Sequence, residues 1–311
     1  MDTLTNLEAF IAVADAGSFS EVARRQHVAP SVITKRIAQL EWRIKAPLFA
    51  RSTRKISLTD VGERYLPQVR VLVRQFHDTL AGMAQASGQL EGHIRVKVPT
   101  TLGMLYLSDL LQRFMQEQSR VSMDIVLADR TVNPLQEGFD IAIGALPELY
   151  GQVRDFNLAP IGRRLCAAPS YLARHGRPQR VTDLVDHDCL VFMTSGTFWE
   201  FNTPMGMQAV EVRPKLQTND GAALYQACVQ GLGIGMVSDY LADPALARGD
   251  LVEVMPEIQF PDLWLKALVP LKRLDVPRIR VLLEWLGRHL QLDPTPLPYA
   301  GHSSSPLTQP T

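Results

Sequence analysis

Positive charge is concentrated in one short stretch of a chain that carries no net charge. The 311 residues include 32 Lys and Arg and 32 Asp and Glu, so the molecule as a whole is electrically balanced. Residues 24–55 depart from this balance, because their only acid is Glu41. The basic residues of this stretch are Arg24, Arg25, Lys35, Arg36, Arg43, Lys45, Arg51, Arg54 and Lys55. Such one-sided charge is typical of a surface that binds the phosphates of nucleic acid.

Hydroxyl and amine groups lie at the start of an amphipathic segment within this stretch. Pro30 marks the beginning of a helix, since proline is accepted in the first helical turn. Its predicted apolar stripe is Val32, Ile33, Ile37, Leu40 and Ile44. Ser31, Thr34 and Lys35 then fall on or beside the opposite face. Lysine can reach guanine O6 and N7 and a hydroxyl can serve either base type, so these three are candidate base contacts. Arg36 could reach a base or a phosphate.

Two shorter helices are predicted before this segment. Residues 4–14 carry apolar side chains at spacings of three and four, which indicates an amphipathic helix. Ser18 and Glu21 form a capping box that begins a second helix. The Ser18 hydroxyl and the free amides beside it suit a backbone phosphate. Two helices joined by a short turn, with a polar and basic outer face, indicate a helix-turn-helix whose second helix enters the major groove.

A basic turn after these helices predicts a wing. Arg51, Arg54 and Lys55 lie between the apolar pair Leu48 and Phe49 and a strand-like segment at residues 56–58. A β-hairpin here would lay the three basic side chains along phosphates or into the minor groove. The helices alone are also compatible with an exposed bundle without a nucleic-acid partner, and the wing favours DNA.

The same residues carry a family resemblance. They read Phe19-Ser-x-x-Ala23, Val32-Ile33-Thr34-Lys35-Arg36-Ile37-x-x-Leu40-Glu41 and Leu48-Phe49-x-Arg51-x-x-Arg54-x-Ile56-x-Leu58-Thr59-x-x-Gly62. Over most of its first 65 residues the chain resembles the winged helix-turn-helix of the LysR-type transcriptional regulators. Where that family often has Ser-Gln-Pro, this chain has Ala29-Pro30-Ser31. The displaced proline and hydroxyl make base contact by Thr34 and Lys35 the better supported assignment.

A long helix is predicted next. Thr59 can cap a helix that starts at Asp60, and Pro67 should kink or loosen its first turns. Apolar residues then recur close to a heptad seam at Tyr65, Val69, Leu72, Phe76, Leu80 and Met83. Such helices are usually packed on a core, but dyad-symmetric DNA sites require a dimer, and the resemblance implies dimerisation through this helix. We therefore predict a homodimer or homotetramer.

The remaining chain alternates strands and helices, which indicates an α/β fold with parallel sheets. It resembles the family's effector-binding domain, which implies two Rossmann-like lobes of periplasmic-binding-protein type around a ligand cleft. The predicted fold class is therefore α/β with an N-terminal α-helical winged helix-turn-helix. The predicted divisions are the DNA-binding domain 1–59, the linker helix 60–90, the effector domain 91–291 and a disordered tail 292–311. Lobe I takes residues 91–161 and 267–291, and lobe II takes residues 162–266.

Polar or small residues follow several of the predicted strands. They are Thr100, Thr101, Ala145, Thr194, Ser195 and Asn219. Ligands of open α/β sheets lie at the carboxyl ends of strands, and helix starts attract anions. We therefore predict a small organic anion, such as a carboxylate, in the interlobe cleft. Each hydroxyl could instead cap a helix, and Asp220 disfavours an anion.

Several other chemistries are not supported. No Ser-His-Asp set or carboxylate pair indicates an enzyme. The triplet Gly231-x-Gly233-x-Gly235 follows a helix, whereas a dinucleotide loop must follow a strand, so no cofactor is predicted. The adjacent residues 186–189 (Asp-His-Asp-Cys) cannot all converge on one metal ion, so no metal site is predicted.

The cysteines and the hydropathy indicate a cytoplasmic protein without a membrane partner. Cys166, Cys189 and Cys228 are odd in number and far apart, which suits a reducing compartment, and a redox role for them stays open. No window approaches the roughly 18 apolar residues of a membrane span.

These features together predict a ligand-responsive, sequence-specific regulator that binds double-stranded promoter DNA. One alternative is an architectural DNA-binding protein whose C-terminal domain only oligomerises. The other is a solute-binding or metabolic protein fused to a helical domain.

Overall fold

The computed structural model describes residues 2–51, 56–84, 90–145 and 150–292. Its N-terminal part is a winged helix-turn-helix followed by a long helix. The elements are α1 (Thr3–Ala16), α2 (Phe19–Arg25), α3 (Pro30–Ile44), β1 (Phe49–Arg51), β2 (Ile56–Leu58) and α4 (Asp60–Ala84). β1 and β2 pair antiparallel, with Phe49 opposite Leu58. Buried Phe10, Ile33 and Phe49 belong to the apolar cluster that joins the three helices to the wing.

The buried stripe of α3 is narrower than the sequence predicted. Ile33, Ile37 and Leu40 are buried, but Val32 and Ile44 are 37% and 43% exposed. A helix turns by about 100° per residue, so Val32 points well away from the direction of Ile33. Ile44 is the last residue of the helix. The inclusion of Val32 and Ile44 in the core was therefore wrong.

Helix α4 is one continuous element. The Thr59 hydroxyl oxygen accepts a hydrogen bond from the Gly62 amide at 3.1 Å, as expected for a cap. The helix continues through Pro67, which lies in its second turn.

The C-terminal part begins with the first lobe. Its elements are β3 (Gly92–Val98), α5 (Thr100–Leu102), α6 (Ser108–Glu117), β4 (Val121–Leu127), α7 (Pro134–Glu137), β5 (Ile141–Gly144) and β6 (Val153–Pro160). A π-helical segment, Gly103–Leu107, separates α5 from α6. A Cβ added at Gly103 would lie 2.5 Å from the Leu127 side chain. This glycine therefore allows the helical backbone to approach β4 closely.

The chain then crosses into the second lobe and returns. The second lobe contains β7 (Arg163–Ala167), α8 (Pro169–His175), β8 (Cys189–Phe192), β9 (Phe198–Thr203), β10 (Gly206–Glu211), β11 (Pro214–Thr218), α9 (Gly221–Val229), β12 (Ile234–Ser238), α10 (Asp239–Arg248) and β13 (Val252–Glu253). The return adds β14 (Trp264–Pro270) and α11 (Pro277–His289) to the first lobe. Trp264 pairs with Pro160, so the return precedes Trp264 and is earlier than the predicted 266/267 boundary.

Each lobe is built on a mixed five-stranded sheet. The strand orders are β4-β3-β5-β14-β6 and β11-β8-β12-β7-β13. β3 runs parallel to β4 and β5, as predicted, whereas β14 runs antiparallel to β5 and β6. The sheets are not parallel throughout, because the strand that re-enters the first lobe runs opposite to its neighbours and β7 runs opposite to β12 and β13 in the second lobe. One apolar cluster extends through both lobes and includes Ile143, Ile161 and Leu190.

Candidate functional site

The outer face of α3 presents the predicted base-reading residues. Ser31, Thr34 and Lys35 are all exposed. The Thr34 hydroxyl donates to the Pro30 carbonyl oxygen at 3.0 Å, which leaves its oxygen free to accept. Arg36 is half-buried, and its Nη1 donates to Gln26 Oε1 at 2.9 Å. Arg36 is therefore held against the end of α2, while the other three side chains face outward.

Ser18 is the N-cap of α2. Its Oγ accepts from the Glu21 amide at 3.2 Å, which is the predicted capping bond. The Ser18 hydroxyl hydrogen remains available to a phosphate oxygen. The Glu21 carboxylate forms ion pairs with Arg24 and Arg25 on the same helix.

Glu41, the single acid of the basic stretch, is directed away from the outer face. Its Oε1 accepts from the backbone amides of Leu48 and Phe49 at 2.7 and 3.3 Å. The carboxylate therefore joins α3 to the first strand of the wing. The charge of Glu41 is evident from the sequence, but this role is not, because the two amides lie seven and eight residues further along.

The structure describes only part of the predicted wing. Arg51 is the last residue of β1 and pairs with Ile56 across the hairpin. Its side chain, together with Arg54 and Lys55, lies outside the described residues. Their contacts with phosphate remain predictions.

The cleft between the lobes is lined by both sheets and encloses a cavity of about 140 Å³. Four of the six residues predicted to contact an effector line it: Thr101, Ala145, Thr194 and Ser195. Thr100 does not, and its backbone amide donates to Asp129 Oδ1 at 2.9 Å. Asn219 is exposed outside the cavity. Thr100 and Asn219 follow β3 and β11 as predicted, but neither is among the residues that line the cavity.

Thr101 connects the two lobes directly. Its hydroxyl donates to Asp220 Oδ2 at 3.0 Å and accepts from the Ala222 amide at 3.2 Å. Asp220 Oδ1 also accepts from the Ala223 amide at 2.7 Å, which caps α9. Protein groups therefore occupy the start of α9, contrary to the expectation that this helix start would help to hold an anion.

A buried lysine in the cleft was not predicted from the sequence. Lys97 on β3 is 5% exposed and lines the cavity. Its Nζ donates to the Ile143 carbonyl oxygen at 3.2 Å. It forms no ion pair with any carboxylate in the part of the chain that the structure describes, and burial lowers its pKa to about 8. The available signal was a charged residue among the apolar residues of the strand at positions 94–98.

Arg163 provides a second cation from the other lobe. It is half-buried on β7 and lines the cavity. Its Nη2 donates to the Pro261 carbonyl oxygen at 2.6 Å, and its guanidinium lies 5.1 Å from the centre of the Phe260 ring. Its buried Nε has no hydrogen-bond partner, and burial lowers the pKa of the side chain. The cavity therefore has cationic groups on both sides.

A buried ionic cluster joins α4 to the first lobe. Asp140, immediately before β5, is fully buried. Its carboxylate pairs with Arg74 of α4 at 3.1 Å and with Arg273 at 2.7 Å, and it accepts from the Arg95 amide at 2.8 Å. Arg74 also donates to the Gly138 carbonyl oxygen at 2.7 Å. The linker helix is therefore fixed to the strands that form the cleft.

One face of α4 is apolar and uncovered within the chain. Tyr65, Leu72, Phe76 and Leu80 are 46%, 55%, 45% and 50% exposed. Their spacings of seven, four and four residues place them on one side of the helix. Four residues of the predicted seam are therefore available to another molecule, whereas Val69 packs on the N-terminal apolar cluster and the Met83 side chain lies outside the described residues.

The three cysteines are buried, and burial raises the pKa of Cys166 and Cys189 to about 12 and that of Cys228 still further. Thiols with raised pKa values react slowly, because the thiolate is the nucleophile. Across residues 2–51, 56–84, 90–145 and 150–292, no His, Cys, Asp and Glu side chains group as a metal site would require. Within the same ranges no helix is long and apolar enough to cross a membrane.

Comparison with known proteins covers both parts of the chain. Residues 4–63 match the family described as bacterial regulatory helix-turn-helix protein, lysR family, and residues 87–291 match the LysR substrate binding domain. The chain is 32% identical to a probable HTH-type transcriptional regulator, LtrA, of Klebsiella pneumoniae, over 85% of this chain and 88% of LtrA. It is 29% identical to the HTH-type transcriptional activator TtdR of Escherichia coli, over 92% and 93% of the two chains.

Two solved structures that match most of this chain have similar folds. The LysR-type regulator CrgA of Neisseria meningitidis is 26% identical, with a TM-score of 0.56 over 91% of this chain and 97% of CrgA. The virulence activator AphB of Vibrio cholerae is 22% identical, with a TM-score of 0.60 over 93% of this chain and 100% of AphB. The likeness to AphB concerns the fold alone.

Proposed function

The chain belongs to the LysR family of bacterial transcriptional regulators, and we propose that a small organic anion bound between its lobes controls its binding to promoter DNA. The main support for this proposal is the buried environment of Lys97. A buried charge is costly unless it is paired, and the hydrogen-bond partner of the Lys97 ammonium is a neutral carbonyl oxygen, while Asp129 attracts it only at longer range. An anionic ligand in the cavity supplies the missing countercharge.

Other cleft residues support an anion rather than a neutral ligand. Arg163 offers an unpartnered buried Nε from the opposite lobe. Thr194 and Ser195 line the same cavity and add hydroxyl donors. Asp129 also lines it, but one of its oxygens already accepts from the Thr100 amide. The ligand is therefore a carboxylate or a similar small anion, held between Lys97 and the second lobe.

DNA is recognised by the outer face of α3. Thr34 and Lys35, with Ser31 beside them, read base edges, while Ser18 and the wing bind phosphates and set the register. Two copies joined through the exposed seam of α4 present two such faces to a dyad-symmetric site, as a homodimer or within a homotetramer. The effector acts by binding the two arrangements of the lobes with different affinity.

The test is thermal unfolding at pH 7 with a panel of small carboxylates and neutral analogues. A specific carboxylate should raise the melting temperature as its concentration increases. Lys97→Met should abolish that shift. The control variant Lys272→Met removes an exposed lysine outside the cavity and should retain it. The proposal is overturned if neutral analogues act equally well or if Lys97→Met responds like the wild type.

Footprinting of the chain's own upstream region, with and without the active carboxylate, separates the alternative functions. The proposed regulator protects a dyad-symmetric site, and the carboxylate changes the protection. An architectural protein protects DNA but responds to no compound. A solute-binding or metabolic protein responds to the compound and protects no site.

A further inference from the structure

A large aromatic ring stands exposed on α3. Trp42 is 83% exposed, whereas Trp199, Trp264 and Trp285 of the C-terminal part are 1%, 38% and 9% exposed. Leaving an indole in water forgoes the free energy that its burial would release. Such a side chain marks a surface that another molecule covers, and its neighbours indicate which molecule that is.

Trp42 lies on the same face as the base-reading residues. Ser31, Lys35, Ala38 and Trp42 follow one another at intervals of four, three and four residues, so they share one side of the helix. This side is opposite to buried Ile33. At about 1.5 Å per residue, Trp42 lies about 10 Å beyond Lys35 along the helix axis. A helix that places Lys35 in the major groove therefore carries Trp42 to the edge of that groove.

The ring forms one wall of a groove between the start of α1 and the C-terminal half of α3. This groove has a volume of about 640 Å³. Its cations are Lys35 and Arg43, and Arg43 Nη1 donates to the Thr3 hydroxyl at 2.7 Å. None of the residues that line the groove is acidic.

Nearby carboxylates are already engaged by the protein. Glu41 accepts from the Leu48 amide at 2.7 Å on the side of the wing. Asp2, at the start of α1, accepts from the Leu4 amide at 3.1 Å and from the Thr5 hydroxyl. The groove therefore presents an apolar ring and basic groups, which complement a sugar–phosphate chain in both shape and charge.

We propose that this groove holds a sugar–phosphate segment of the bound duplex, with Trp42 packed on a deoxyribose and Arg43 paired with an adjacent phosphate. The inference rests on the proposed binding to promoter DNA and adds a contact to it. The major groove is about 12 Å wide, and duplex DNA curves away from a straight helix. Trp42, two turns beyond Lys35, therefore lies beside the sugar–phosphate backbone at the edge of the major groove. The length of the indole spans the remaining gap.

If this contact forms, three variants should differ in how they change DNA affinity, its salt dependence and sequence discrimination. Backbone contacts carry no sequence information, so Trp42→Ala should weaken binding to the target duplex and to a scrambled duplex alike, by about tenfold. Its dependence on salt should equal that of the wild type, because no charge is lost. Arg43→Ala should reduce the slope of log affinity against log salt by about one. Lys35→Ala should reduce the discrimination between the two duplexes.

The measurement is a duplex titration at several salt concentrations, with melting temperatures to establish that each variant is folded. Met207→Ala is the matched control, because it truncates an apolar side chain that is 71% exposed on β10 of the second lobe. Its affinity for DNA should equal that of the wild type. As a second readout, duplex binding should quench tryptophan emission in the wild type, and Trp42→Phe should lose that quenching while retaining part of the affinity.

Two results overturn the contact. One is a Trp42→Ala protein that binds both duplexes with wild-type affinity. The other is quenching that persists in Trp42→Phe. If Trp42→Ala binds DNA normally but fails to regulate transcription in a purified system, the ring faces a protein partner and the proposal is rejected. If the wild-type protein binds neither duplex, the proposed function fails and this contact with it.

Discussion

At the scale of single residues, Lys97 and Asp140 show two ways of treating a buried charge. Asp140 is fully buried, two arginines form ion pairs with its carboxylate, and a backbone amide donates to its Oδ2. Lys97 is almost as buried, and its ammonium has one neutral acceptor. The first arrangement is complete within the chain and stabilises a structural junction. The second has no carboxylate in direct contact among the described residues, which is what an anion-binding site requires before its ligand arrives.

Binding of the anion should weaken as the pH rises above about 8. Burial lowers the pKa of Lys97 to about 8, so the free protein carries a neutral amine at higher pH. An anion that requires the ammonium must then take up a proton on binding, and its dissociation constant should rise by about tenfold per pH unit. Calorimetric titration between pH 6.5 and 9.5 measures this dependence. A flat profile in the wild type would contradict it.

The same lysine affects the stability of the ligand-free protein. Its pKa is lower in the folded chain than the value of 10.5 for an ordinary lysine. The unfolded chain therefore binds more protons between pH 8 and 10.5, and the contribution of Lys97 to stability increases with pH over that window. Lys97→Met, which removes the buried charge, should accordingly have a higher melting temperature than the wild type at pH 7 without ligand.

Local spacing predicted some cleft residues and could not predict others. Thr101, Thr194 and Ser195 follow strands, and the carboxyl ends of strands form the cleft. The hydrogen bond from Thr101 to Asp220 joins residues that are 119 positions apart, so no pattern within either segment reports it. Lys97 was missed because the burial of both faces of β3 depends on the packing of the whole domain.

At the scale of elements, α4 contacts both the N-terminal part and the first lobe, and it also carries an exposed apolar seam. Arg70 pairs with Asp15 of α1, and Arg74 pairs with Asp140 of the first lobe. Its apolar seam remains exposed. The heptad pattern predicted the seam, because it depends only on local spacing. It did not predict the ionic contacts, which depend on how the two domains are placed against each other.

A charge in the seam should separate the subunits. Leu72 is 55% exposed in the middle of the seam, and in a dimer its side chain would be buried against the partner. Leu72→Glu buries a carboxylate there without a countercharge, which costs several kcal/mol. Sedimentation should then show the mass of one 34.7 kDa chain and weaker binding to a dyad site. Gln75→Glu adds the same charge on a neighbouring face and should remain oligomeric.

If Leu72→Glu sediments like the wild type, α4 is not the dimer interface. A variant that becomes monomeric but binds a dyad site with unchanged affinity would show that the seam joins subunits without being needed for DNA.

The junction at Asp140 connects the linker helix to both strands that hold Lys97. Asp140 precedes β5, whose Ile143 carbonyl oxygen accepts from Lys97. The amide that donates to Asp140 belongs to Arg95, two residues before Lys97 on β3. A shift of β3 or β5 on ligand binding should therefore displace Asp140, which is the ion-pair partner of Arg74 and lies within a few residues of both strands.

Arg74→Met should weaken the coupling between the two sites rather than either site. Asp140 keeps Arg273 and the Arg95 amide in this variant, so the fold should persist. The affinities for anion and for DNA, measured separately, should remain close to wild type. The factor by which the anion changes DNA affinity, usually about 5- to 150-fold in allosteric proteins, should fall toward one.

Arg70→Met is the matched control, because it lies one turn earlier on α4 and pairs with Asp15 within the N-terminal part. Its coupling factor should stay near the wild-type value. Equal loss of coupling in both variants would mean that rigidity of α4, rather than its contact with the first lobe, transmits the signal.

At the scale of the whole molecule, the order of the domains along the chain could be predicted from the sequence. Whether the cleft between the lobes is open or closed could not. The basic helix-turn-helix, the heptad seam and the alternating strands each have a local pattern, so their sequence along the chain was readable. Whether the lobes lie open or closed depends on a few contacts between distant segments. Thr101 supplies two of them, to Asp220 and to the Ala222 amide.

Thr101→Val should favour the open arrangement of the lobes. Valine keeps the shape of threonine but removes both hydrogen bonds, each of which contributes about 1 kcal/mol to stability. Ligand binding must then also supply the free energy of closure, so affinity for the anion should fall by up to about 30-fold. The dependence on pH should stay unchanged, because Lys97 is untouched. Small-angle scattering should show a larger ligand-free protein that contracts when the anion is added at saturation.

Thr194→Val is the control for this experiment. Thr194 lines the same cavity, but among the residues that the structure describes its hydroxyl forms no hydrogen bond to the first lobe. Its ligand-free dimensions should therefore equal those of the wild type, even if the anion binds less tightly. If Thr101→Val scatters like the wild type and binds the anion equally well, the Thr101 hydrogen bonds do not hold the lobes together. Closure must then come from the apolar cluster that the two lobes share.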